Sequence, residues 1–331
     1  MRLSYDDLHT AGEPVRIVTD GYPELTGATI LDKRREARER HDHVRRAMMW
    51  EPRGHSGMYG VIPVASTLPG AVFGVLFTHH EGYSTMCGHA TIALAKWAVE
   101  TGRVPATEPL TRFAIEAPCG LVRIAAQVAG GVVHAASFES VPAFVLRQGL
   151  RIAVPGLGDV ACDIAYGGAF YAIVPASRLG LDLAASPLAA LVEAGGALTD
   201  AIRAEVPIDH PAEPDLGFLY GTILTDDSEP PAESANICIF AERQVDRSPT
   251  GSGVTARMAL DSARGLVGAG ETRRFRSITG GSFTGAVKKS ERLGSWPAVT
   301  VEVGGSAHWM GRGEFIVEAG DPLAHGFALR P

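Results

Sequence analysis

The sequence predicts an α+β protein of two similar lobes, on three observations. The chain is 331 residues long, 46% apolar and 20% charged, which is enough to bury a large core and long enough for two lobes. Glycine (39) and proline (21) punctuate many short runs rich in Val, Ile, Phe and Thr, several of which alternate apolar with polar. That is the pattern of a mainly antiparallel strand framework. Finally, one short segment is echoed half a chain away: Cys87-Gly-His-Ala-Thr-Ile-Ala against Thr250-Gly-Ser-Gly-Val-Thr-Ala, 163 residues apart. Each copy stands between a strand-like run and a helix of similar length, as two related lobes facing each other across a cleft would require.

The strand-like runs are PVRIVT, AVFGVLF, LVRIAAQV, ACDIAYG, FYAIV, NICIFA, AVTVEV and EFIVEA. Helical patterns cover Leu31 to Trp50, His89 to Thr101, Ser186 to Val206 and Ser252 to Gly265. In the third, Ser186 followed by Pro187 reads as an N-cap and first-turn pair. The first contains DKRREARERHDHVRR, whose alternating signs read as a solvated helical face. The Pro-rich stretches at 207–215 and 226–234 read as loops.

Composition removes several function classes. A net charge of −7 with scattered basic residues argues against nucleic acid as a partner. The N-terminus has no apolar h-region and no run approaches the roughly 20 residues that cross a bilayer, so a cytoplasmic location without membrane contact is expected. Cys87, Cys119, Cys162 and Cys238 are far apart and form no C-x-x-C pair, so free thiols are expected rather than a disulfide framework or zinc ribbon. His79-His80 lack a third spaced ligand, so no metal is expected there. There is no P-loop, no G-x-G-x-x-G after a strand and no G-x-S-x-G.

The two echoed turns can carry chemistry. A cysteine just ahead of a helix meets unpaired N–H groups and the positive end of the helix dipole, which favour the thiolate over a thiol of pKa about 8.5. Cys87 is therefore a candidate base or nucleophile, with His89 two residues on, close enough to touch the same group. At the matching turn, Gly251, Ser252 and Gly253 let backbone N–H groups approach an anion closely, and two such helix starts could hold one small carboxylate. Asp246, four residues before Thr250, is either the carboxylate for an ammonium group of the same ligand or a turn-initiating Asp.

The stretches EGYSTMCGHATIALAKW, VDRSPTGSGVTARMA, EPRGH (Glu51 to His55) and DLHTAGEP together resemble the proline racemase family, which includes 4-hydroxyproline 2-epimerases and trans-3-hydroxy-L-proline dehydratases. The resemblance covers nearly the whole chain. It implies the fold shared with diaminopimelate epimerase, two strand-rich lobes each wrapped around a central helix with the active site in the cleft between them. The expected division is 1–135 plus 313–331 against 136–312, with Gly313 to Leu329 returning to the first lobe as a strand. The resemblance further implies a small imino-acid substrate and no cofactor, and leaves a homodimer open. Carried over by position, Cys87 is the catalytic cysteine; Gly88 and His89 contact substrate; Phe240 is a site aromatic; Asp246 faces the substrate amine; Gly251 and Ser252 bind the carboxylate.

Thr250 departs from the racemases, which carry a second cysteine there. Inverting a Cα centre needs proton-exchanging groups on both faces. If the threonine hydroxyl resembles water, about 15.7 against about 8.5 for a thiol, making it a base costs about 7 pH units, or about 10 kcal/mol. A one-base elimination survives this change, and the Cys/Thr pair is the dehydratase pattern within the resemblance. The expectation is a hydro-lyase acting on trans-3-hydroxy-L-proline, with an epimerase or racemase as the alternative and a silent imino-acid-binding protein as the third reading.

Overall fold

A computed structural model describes residues 1–329. It divides into two compact units: Met1–Ala136 with the chain from Ser306 onward, and Ser137–Gly305. Each is a strand framework around one buried helix of thirteen residues. Most pairings are antiparallel, as the alternating runs require.

In the first unit, strands Arg2–Thr10 and Glu13–Asp20 form a hairpin across Ala11-Gly12, both at positive φ (52° and 89°), the geometry that suits the twist of a two-residue turn. The strand Ala307–Ile316 pairs antiparallel with Arg2–Thr10 along its whole length. It thus begins and ends earlier than the Gly313 to Leu329 segment expected from the sequence, because its bounds are set by the register with Arg2–Thr10, from Thr10 against Ala307 to Arg2 against Ile316.

The charged segment is two helices rather than one solvated helix. α1 (Ile30–Arg40) opens on a Thr29/Asp32 capping box and ends at His41; α2 (Asp42–Met49) follows at once. Solvation is also incomplete: Lys33 and Arg45 are buried, the first donating to the Ala65 carbonyl (2.8 Å), the second paired with both oxygens of Asp42 and donating to the His79 carbonyl. α3 (Gly88–Glu100) is buried from Gly88 to Val99, which its apolar composition on every face requires. Its Lys96 escapes desolvation through Glu100 (2.6 Å), and Trp97 Nε1 donates to Asp6 (2.8 Å).

In the second unit, the parallel strands Phe170–Pro175 and Leu219–Thr225 are joined by α4 (Leu188–Glu205), the crossover that parallel pairing needs. Ser186 does not cap α4. Pro187 stands at the cap position with no side-chain bond, and the Ser186 hydroxyl accepts from the Asp182 N–H instead (2.9 Å). α5 (Gly251–Ala263) is buried from Gly251 to Asp261. Its first turn lies so close to Gly167 that a Cβ there would stand 2.1 Å from the Ser252 carbonyl oxygen. Only glycine fits, and this fixes where α5 begins.

Arg16 ties the first unit together. It makes a bidentate pair with Asp7 (3.0 and 2.8 Å), donates to the Met48 and Arg53 carbonyls, and its guanidinium lies 4.4 Å and 4.7 Å from the ring centroids of Tyr5 and Phe315. Truncation would leave Asp7 and two carbonyls uncompensated in a site only 7% exposed at Arg16. Arg16→Ala should therefore lower stability by about 3–5 kcal/mol, measured by urea unfolding.

Candidate active site

Cys87 is the N-cap of α3. Its backbone is extended (φ −145°, ψ 111°), its Sγ accepts from the Ala90 N–H at 3.4 Å, and it is 5% exposed. Nδ1 of His89 lies 3.2 Å from the sulfur and Nε2 3.7 Å away, so the sulfur and the imidazole form a contact across which one proton can pass. The His89 carbonyl accepts from Thr10 Oγ1 (2.9 Å), and its ring meets Tyr59 edge-on at 4.7 Å. Tyr59 is itself hydrogen-bonded to Ser84 through its hydroxyl. The helix start leaves the N–H groups of Gly88 and His89 without an i−4 carbonyl.

Thr250 caps α5 in the same place but a different way. Its backbone is left-handed (φ 62°, ψ 88°), a region costing a β-branched residue about 1–3 kcal/mol, and its side chain does not cap the helix. The hydroxyl donates instead to Asp246 Oδ2 at 2.9 Å. Asp246 Oδ1 accepts the Ser248 N–H (2.8 Å), and Ser248 Oγ accepts the Thr250 N–H (3.1 Å). Asp246 is thus a turn former and also a buried carboxylate, 7% exposed, with lone pairs left for a further donor. Gly251, Ser252 and Gly253 open the helix with N–H groups that have no i−4 carbonyl. The Ser252 hydroxyl bonds that of Tyr171 (2.7 Å); Tyr171 meets Tyr220 edge-on, and Phe240 stacks on Tyr220 with centroids 5.3 Å apart.

Within the first unit, then, Cys87, Gly88 and His89 come together, and within the second, Phe240, Asp246, Thr250, Gly251 and Ser252 do. Sequence reasoning missed Tyr59, Thr10, Ser248, Tyr171 and Tyr220. Ser248 lay inside a quoted motif, with both its partners two residues away, and could have been found as a turn residue; Tyr59 lay four residues beyond another motif, but its partners Ser84 and His89 are distant in sequence. The EPRGH motif is a tether: Arg53 donates to the Ala47, Leu323 and Ala324 carbonyls, and Glu51 bridges to Phe327.

The remaining cysteines are free thiols. Burial pushes those of Cys119 and Cys162 up to about 12, so they stay protonated near neutrality. Among the described residues, no group of three or more His, Cys, Asp or Glu could hold a metal ion, and no helix is long and apolar enough to cross a membrane.

Two buried helices, one capped by a thiol and the other by a threonine whose hydroxyl turns to Asp246, define an α+β protein with one such helix start in each unit. The chain belongs to the proline racemase family, whose model matches residues 6–328. It is 52% identical to the human trans-3-hydroxy-L-proline dehydratase over 99% of this chain and 95% of the human one. It is 44% identical to a 3-hydroxyproline 2-epimerase of Burkholderia multivorans over 99% and 98%. The crystal structure of a hydroxyproline epimerase from Agrobacterium vitis with bound trans-4-OH-L-proline superposes with a TM-score of 0.93 at 28% identity, covering 99% of this chain and 96% of the other.

His79, stacked at 6.0 Å from Tyr59, accepts the Glu81 N–H on Nδ1 (3.2 Å), as a neutral imidazole does. Burial, then the charges of Arg45, His80 and Arg34, pull its pKa from 6.5 down to about 3. Unfolding therefore takes up a proton between pH 3 and 6.5, and stability held above pH 6.5 is lost as pH falls through that window. The slope approaches about 1.4 kcal/mol per pH unit. In urea titrations from pH 7 to 4.5, His79→Gln should show a shallower loss than the parent.

Proposed function

We propose that the protein dehydrates trans-3-hydroxy-L-proline to Δ1-pyrroline-2-carboxylate. The observation that carries this is Thr250: the cap of α5 bears a hydroxyl already donated to Asp246, where the cap of α3 bears the Cys87 thiol. Full-length relatives at about half identity named for this dehydration support the same reading.

In the substrate the 3-hydroxyl is trans to the carboxylate, hence on the same ring face as the Cα hydrogen. The Cys87 thiolate removes that hydrogen as a proton. The electron pair of the C–H bond becomes the C2–C3 double bond as the C3–O bond breaks. The thiol returns its proton to the departing hydroxide, directly or through His89 at 3.2 Å, giving water and restoring the thiolate. The enamine then tautomerises to the imine. Asp246 binds the ring ammonium, and the N–H groups of Gly88, Gly251 and Ser252 hold the carboxylate. Phe240 supplies an apolar wall. Thr250 orients substrate or water and is not a base, since deprotonating it costs about 10 kcal/mol more than a thiol. One thiol/thiolate couple closes the proton inventory, so the reaction calls for no cofactor.

The alternative, a 4-hydroxyproline 2-epimerase or proline racemase, needs a second proton-exchanging group where Thr250 stands. The two readings separate on incubation with trans-3-hydroxy-L-proline, trans-4-hydroxy-L-proline and L-proline. An imine that reacts with an amine probe should form from the 3-hydroxy compound alone, and Cys87→Ser should reduce its rate by at least about a thousandfold. Inversion of either other substrate without water loss would sink the dehydratase reading.

A further inference from the structure

Behind the Thr250 turn, the second unit buries a polar pair that the proposed reaction leaves unused. Asn236, 2% exposed on strand Ser234–Phe240, donates from Nδ2 to the Pro249 carbonyl at 3.1 Å. That carbonyl belongs to the peptide entering Thr250. The amide's other atom, Oδ1, accepts from Arg257 Nη1 at 3.2 Å. Arg257, on the second turn of α5 and 5% exposed, also donates to Ser234 Oγ (2.7 Å) and lies over the Phe275 ring, 4.8 Å from its centroid. Ser234 in turn donates to Asp226 (2.6 Å).

The chemistry of this chain fixes its direction. Guanidinium only donates and a carbonyl only accepts, so Asn236 can face these neighbours in one orientation alone, oxygen to Arg257 and nitrogen to Pro249. Burial and the nearby Arg273 charge disfavour this arginine, Asp226 and Asp261 offset only part of that cost, and an apolar residue would pack there more cheaply. What the arginine secures is the orientation of Asn236.

The turn beyond needs such a hold. Thr250 stands in a left-handed conformation that a β-branched residue resists. Proline fixes its own φ, which leaves the rotation setting the Pro249 carbonyl as the free variable ahead of Thr250. Turning that carbonyl would carry the Thr250 N–H off Ser248 and its hydroxyl off Asp246, and would move the first N–H groups of α5 with them.

We propose that Asn236, locked by Arg257, is a positioning residue that holds the Pro249–Thr250 peptide and thereby aims the start of α5 at the substrate carboxylate. This rests on the reading of that turn as part of the imino-acid site. Both residues are buried behind the turn and spend their polar atoms on Pro249, Ser234 and each other, so the pair acts on binding geometry and leaves proton abstraction at Cys87 alone.

Asn236→Asp tests this in the full-length protein. The substitution keeps the shape and gives Arg257 a charged partner, but removes the donor to Pro249. KM for trans-3-hydroxy-L-proline should rise at least about tenfold while kcat stays within about threefold. Amide exchange over residues 251–254 should quicken at least about tenfold, with exchange over Trp296–Gly305 unchanged. Asn236→Ala should move both quantities the same way. A KM within twofold of the parent, or unchanged exchange at 251–254, overturns the proposal. If the parent protein turns over none of the substrate, the proposed function fails, while quickened exchange in Asn236→Asp still supports the hold on the turn.

Discussion

A helix buried along its length has nowhere to send the N–H groups of its first turn. In each unit of this protein the central helix is covered from its first residue, so those donors must find acceptors within the fold or in a ligand. Much else follows from this constraint. Glycines follow both caps, Gly167 lets α5 begin where it does, and polar side chains gather at helix starts that would otherwise be apolar core. A small carboxylate is the natural complement of donors left over, because the helix dipole favours negative charge at the same place.

The two caps share a position and diverge in chemistry. Cys87 turns its sulfur toward the Ala90 N–H and keeps an imidazole beside it, which makes the first helix start a place where a proton can be taken up and returned. Thr250 turns away from its helix toward Asp246, and the peptide entering its strained backbone is held at both ends, its N–H donating to Ser248 Oγ and its Pro249 carbonyl accepting from Asn236. In the proposed reaction one start transfers the proton and the other holds the substrate, and this asymmetry is what separates a one-base elimination from a two-base inversion.

Much of this was legible in the sequence. α3 and α5 could be placed within a residue or two, since an apolar helix opened by glycine after a strand-like run has few alternatives. The echo between Cys87 and Thr250 located both caps, and the four-residue spacing from Asp246 hinted at their link. What could not be read depends on contacts distant in sequence. The break between α1 and α2 accompanies the burial of Arg45 against Asp42 and the His79 carbonyl, and a charge pattern alone suggested solvent. Ser186 prefers the Asp182 N–H to the helix it precedes. The strand at Ala307–Ile316 pairs along its length with Arg2–Thr10, about three hundred residues earlier. The Tyr59 and Asn236 side chains carry no local signal, because each acts through a neighbour that only the fold supplies.

The central claim is that proton exchange at Cα takes place on one face. It is tested most directly by letting the protein work on trans-3-hydroxy-L-proline in D2O, stopping the reaction part-way and examining the unreacted substrate by proton NMR and chiral chromatography. The account predicts that recovered substrate keeps its configuration at C2, whether or not it has gained deuterium there. Accumulation of the C2 epimer would contradict it, for a second group would then be delivering protons to the face that Thr250 leaves without a base.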